Sequence, residues 1–173
     1  MSHLGEPIYS TPPRVRERRR GYWFLFLLAP LLALMFQVYV PLFIASLAYL
    51  DLPLLLTLHT ALTRRSPVMG LLYGCGVGLL QDALSNRPLG MYGIVKTLIG
   101  FFAANISMRV DVDNSMVRFL TSLTLYLFHQ FFYWVLARAL LGQQLDFELA
   151  TSLLCAILNA AVAVPLFQLL DRI

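Results

Sequence analysis

The sequence predicts an all-α fold, an integral membrane bundle of about six transmembrane helices. Three observations predict it. The 173-residue chain is 59% hydrophobic and 13% charged, with a mean hydropathy of +0.73, far from average soluble composition. Its polar residues cluster, so that apolar stretches at 22–44, 46–63, 67–84, 89–108, 116–140 and 149–170 alternate with short charged breaks. Most are long enough to cross a bilayer, which takes about 20 helical residues. Finally, the cations are distributed unevenly between the breaks.

Residues 1–20 are polar, proline-bearing and without hydrophobic periodicity, which predicts a disordered basic cytoplasmic tail ahead of a single membrane domain at 21–173. The apolar segment that follows RVRERRR (Arg14 to Arg20) far exceeds the roughly 7 to 15 residues of a signal-peptide core, so it is read as retained.

The second stretch is the ambiguous one. Asp51 and Pro53 cut it and leave Leu54 to Thr63 as its unbroken apolar run, a length more typical of re-entrant or buried segments. Charge bias arbitrates, because Lys and Arg in short loops favour the cytoplasmic side. With six crossings and the amino terminus inside, Arg14, Arg16, Arg18, Arg19, Arg20, Arg64, Arg65, Arg109, Arg118 and Arg172 all fall inside, and Arg87 and Arg138 outside. Both termini are then cytoplasmic. The same distribution accounts for the net charge of +4, which in a soluble domain would point to nucleic acid. A juxtamembrane basic cluster can also hold anionic lipid headgroups.

In the third stretch Gly70, Gly74 and Gly78 recur every four residues and Asp82 continues the series on one helical face. Such a face lets another helix approach closely. The neighbour is either a helix of the same bundle or a partner's transmembrane helix. Asn86, Pro88 and Gly90 in the turn SNRPLG make the third and fourth stretches an antiparallel hairpin. Lys96 enters the fourth stretch by about 10 Å at 1.5 Å per residue. It either snorkels outward or pairs with Asp82 across the hairpin, since each charge is costly alone in the membrane.

The fifth stretch carries His129 and Gln130 among Tyr126, Tyr133 and Trp134, with Arg138 towards its outer end. The aromatics fit an interfacial belt, and His129 is expected to hydrogen-bond between helices. In the sixth, Cys155, Ala156, Asn159, Ala160 and Ala163 form a small-residue surface with one polar member, and Pro165 is expected to kink the helix. Ala156 and Ala160 therefore join the three glycines as candidate partner interfaces. Asp82, Lys96, Asn159 and His129 are the candidates for a polar pair or cavity.

Chemistry has little foothold in this pattern. His3, His59 and His129 lie in different segments, Cys75 and Cys155 make no metal or redox spacing, and no nucleophile, base and acid can be assembled. RVDVDNS (Arg109 to Ser115) lacks the glycine and terminal glutamate of a calcium loop. No catalytic residue, metal or cofactor is assigned.

GLLYGCGVGLLQDALSNRPLG (70–90) and ILNAAVAVPLFQLLDR (157–172), with six spans in a chain of this length, resemble the MreD family of bacterial rod shape-determining membrane proteins. The resemblance covers roughly 22–173. It departs at LDLPLLL, where the family more usually has a proline followed by a polar residue, and this leaves the start of the second helix open. The resemblance implies a non-enzymatic component of the cell-elongation machinery in the inner membrane. Its implied partner is MreC, with RodA and penicillin-binding protein 2 beyond it and MreB indirectly, and self-association is allowed. It also implies a bundle similar to the substrate-binding subunits of energy-coupling-factor transporters. A vitamin-type transport subunit is accordingly the alternative function, with Lys96, Asn159 and Asp82 as its polar contacts.

Overall fold

In the computed structural model the described residues are 24–85, 88–143 and 146–172. The basic tail with His3, and Asn86 and Arg87 of the turn, lie outside them. Among the described residues there are six α-helices and no strand: α1 (Ala29–Tyr39), α2 (Leu52–Arg64), α3 (Pro67–Leu84), α4 (Met91–Ser107), α5 (Ser115–Leu141) and α6 (Leu149–Leu170). A π-helical turn, Phe24–Leu28, leads into α1, and 3-10 turns at Val40–Leu42 and Ala45–Tyr49 follow it. By length and composition α3, α5 and α6 are each able to cross a membrane.

Local chemistry explains the boundaries. Asp51 accepts a hydrogen bond from Leu54 N at 2.9 Å, capping α2, and Pro53 sits in the first turn, where its missing N–H is harmless. Arg65, with φ 51°, ends the helix in the left-handed conformation, and Pro67 starts α3 two residues later. Gly90, at φ 100°, turns the chain into α4 through a conformation open to glycine. Asn114 caps α5 by accepting from Met116 N at 2.9 Å. Helix α6 continues through Pro165 to Leu170.

The second segment differs from its expected extent of 46–63. A helix cannot be propagated backwards through Pro53, which has no N–H to offer the carbonyl four residues earlier. The backbone therefore breaks into the Ala45–Tyr49 turn and a separate α2 of 13 residues. At 1.5 Å per residue α2 is about 20 Å long, short of the roughly 30 Å hydrocarbon core.

This short helix is the centre of the molecule. Pro53 to His59, Ala61 and Leu62 are all buried, so nearly every face of the helix up to Leu62 is enclosed by the bundle. Helices α1, α3 and α4 pack against it, α3 pairs with α4, and α5 pairs with both α4 and α6. One core cluster joins Leu54, Leu55 and Leu58 of α2 to Val95 and Ile99 of α4, Leu125 of α5, and Ala156, Ala163 and Phe167 of α6.

Candidate functional site

Lys96 of α4 has no exposed surface. Its ammonium donates to Asp51 Oδ1 at 2.8 Å, and this pairing with Asp51 replaces the expected one with Asp82. Asp51 stands at the amino end of α2 and receives Leu54 N on the same oxygen. A buried ammonium loses several kcal/mol of hydration, so it needs a close anion to remain charged there. Helix α6 completes the arrangement through Asn159, also fully buried. Its Oδ1 accepts from Asp51 N at 2.9 Å, and its Nδ2 donates to Tyr49 O at 2.7 Å and Cys155 O at 2.9 Å.

His129 of α5 is the fourth contributor. Its Nε2 lies 3.9 Å from Asp51 Oδ2, beyond hydrogen-bond range, and neither ring nitrogen has a hydrogen-bond partner among the described residues. The ring lies parallel to Tyr92 at 5.9 Å, and Tyr92 stacks on Tyr133 at 4.9 Å. The Lys96 ammonium is 5.7 Å from the Tyr92 ring centroid. The structure thus brings Lys96, Asn159 and His129 together around Asp51. Asn159 lies halfway along α6, about 15 Å from its start at 1.5 Å per residue, so the cluster sits well inside the bundle.

Asp82 does something else. Almost fully buried, it accepts from Gly90 N at 2.9 Å and from Tyr92 N and Gly93 N at 3.1 Å each. Those amides belong to the first turn of α4, whose donors have no partner within the helix. A carboxylate there also complements the positive end of the helix dipole. Asp82 therefore closes the α3–α4 hairpin by capping α4, and Lys96 is not its partner.

The glycine face is internal as well. A Cβ on Gly70 would collide with the carbonyl oxygen of Gly100, one on Gly74 with that of Lys96, and one on Gly78 with that of Tyr92. Backbone touches backbone along this seam, so the face is filled by α4 and is not available to a partner. Ala156 and Ala160 have no exposed surface either and pack within the bundle. All five residues expected as candidate interfaces are interior contacts.

A second polar cluster joins three helices at the end where α2 and α6 finish and α5 begins. His59 Nε2 lies 3.0 Å from Asp171 Oδ1, and Arg118 Nη1 donates to Asp171 Oδ2 at 2.6 Å. Arg118 Nε donates to Val112 O at 2.6 Å. Burial would raise the Asp171 carboxyl, but the hydrogen bonds from His59 and Arg118 and the guanidinium charge hold it below its ordinary value.

Sequence reasoning missed Asp51 and Asp171. Asp51 stood in view as a break in the apolar run, and Asp-X-Pro ahead of that run is itself a helix-start signal. Nothing local marks Asp171, whose partners are 112 and 53 residues away. Among the described residues no three His, Cys, Asp or Glu side chains gather as metal ligands do.

A sequence model of the family described as rod shape-determining protein MreD matches residues 17–173 of the chain. No curated protein and no solved structure matches it, so the likeness to energy-coupling-factor subunits has no structural match behind it.

Proposed function

The chain belongs to the MreD family of rod shape-determining membrane proteins, and from that premise we propose that it acts by binding, as a non-catalytic component of the bacterial elongation machinery. Its partner in this reading is MreC, and through MreC it helps to organise the peptidoglycan synthase formed by RodA and penicillin-binding protein 2. It resides in the inner membrane with both termini in the cytoplasm.

The family match over nearly the whole chain carries this reading. Two features of the molecule support it. Several buried polar groups are engaged in holding helices and backbone: Asp51 with Lys96, Asn159 with three backbone groups, Asp82 with three. Such groups rigidify a scaffold. In addition, Arg64, Arg65, Arg109, Arg118 and Arg172 fall at or beyond the helix ends gathered around Asp171. Under the positive-inside bias, these arginines support a cytoplasmic position for that end.

Affinity purification of a tagged full-length copy from native membranes in mild detergent, followed by mass spectrometry, tests the reading. MreC is the expected companion. A pair of ATPases with a coupling membrane subunit would overturn it in favour of a transport role.

A further inference from the structure

Of the four side chains gathered in the Asp51 cluster, Asp51, Lys96 and Asn159 are hydrogen-bonded to one another or to backbone. His129 is not. It is 3% exposed, and neither ring nitrogen has a hydrogen-bond partner among the described residues. An imidazole always carries at least one N–H donor, and a buried donor left unpaired is a desolvation loss that native interiors avoid. Stacking does not compensate for it. Tyr92 lies parallel to the ring at 5.9 Å, which covers a face and leaves the edge, where the nitrogens are, to find a partner.

That edge meets both an acceptor and a donor. Nε2 stands 3.9 Å from Asp51 Oδ2, too far for a direct hydrogen bond. An oxygen at the usual length of about 2.8 Å from both atoms spans such a gap. The other oxygen of the same carboxylate, Oδ1, receives the Lys96 ammonium at 2.8 Å. This uses one of the three donors that an ammonium has.

Charge and size then define the ligand. Asp51 and Lys96 neutralise one another, so a bound ion, or a charged His129, would add an uncompensated buried charge. A neutral group that accepts from Nε2–H and from the ammonium and donates to Asp51 Oδ2 adds none. The gap admits one oxygen, and a water molecule with three polar partners is the usual occupant of such a place. The Asp51 side chain keeps 12% of its surface accessible, so the site is not sealed and water can reach it.

We propose that one water molecule is bound at the edge of His129, accepting from Nε2–H and from the Lys96 ammonium and donating to Asp51 Oδ2. It is the hydrogen-bonded link between α5 and the other three helices of the cluster, and it holds the neutral imidazole in the Nε2–H tautomer.

Nuclear magnetic resonance of the full-length chain in lipid bilayers, with isotope-labelled histidine, tests this. His3→Gln together with His59→Gln leaves His129 as the only histidine. At neutral pH an uncharged ring protonated at Nε2 is expected, with magnetisation passing from water to that proton. A ring protonated on both nitrogens would put a direct ion pair with Asp51 in place of the water. A ring protonated only at Nδ1 would reverse the donor, and an Nε2 proton that receives nothing from water would mean a dry site. Each of these three results overturns the proposal. If His59→Gln disturbs the fold, the wild-type chain gives the same readout, with His129 identified as the histidine whose signal His129→Phe removes.

Discussion

Lys96 and Asp51 depend on one another more than on any other contact. Each would be an uncompensated buried charge without its partner, and breaking such a pair from one side typically destabilises by about 3 to 5 kcal/mol. Lys96→Met should therefore lower stability by that amount, and adding Asp51→Asn should recover most of it, because the remaining groups are neutral. A double-mutant cycle on the purified protein, read by denaturant unfolding in detergent, should give a much larger coupling for Asp51 with Lys96 than for Asp82 with Lys96. Equal couplings would sink this assignment. From sequence, Lys96, Asn159 and His129 stand out because polar groups inside a membrane are rare and need partners. Their common partner was hidden by chain distance: Asp82 is nearer to Lys96 along the hairpin, whereas Asp51 precedes it by 45 residues. What decides between them is the three backbone donors of α4 that already occupy Asp82.

At the level of elements, the α3–α4 seam and the truncated α2 organise the bundle. Glycines at every fourth position of α3 bring its backbone against α4, and this spacing was legible because it follows directly from helical periodicity. Which helix fills the face was not, since an internal neighbour and a partner's helix ask for the same small residues. The structure separates two kinds of glycine in α3. Gly74→Ala and Gly78→Ala drive a methyl into a backbone carbonyl and should each destabilise by about 1 to 3 kcal/mol or more, the usual range for overpacking. Gly76 has open space where a Cβ would go, so Gly76→Ala should be tolerated, with a helix-propensity gain of up to about 1 kcal/mol. Thermal unfolding of the three variants in one detergent checks the contrast, and equal losses at Gly74 and Gly76 would contradict the seam. The extent of α2 illustrates another limit. Hydropathy marks 46–63 as one apolar stretch cut at Asp51 and Pro53, but an irregular segment followed by a short helix and a single membrane-crossing helix can have the same composition, and the backbone break at Leu50 to Asp51 distinguishes them.

Across the whole molecule, polar clusters at two depths tie the helices together. The buried group around Asp51 joins α2, α4, α5 and α6, and the group around Asp171 joins α2, α5 and α6 near the basic end. The all-α membrane class was legible because composition and the spacing of polar breaks both report it, and membership of the rod shape-determining family follows from a match to 157 of the 173 residues, 17 through 173. The faces open to partners were not legible, because small-residue stripes mark close packing without saying whose helix is packed. On this account the molecule is a rigid membrane scaffold that serves cell elongation by binding. Cell width after depletion of the protein in its native host tests that claim most directly. The account predicts that rods widen and round up, and that a wild-type copy restores them while a copy carrying Lys96→Met restores them less well. Rods that keep their width once the protein is gone would contradict it.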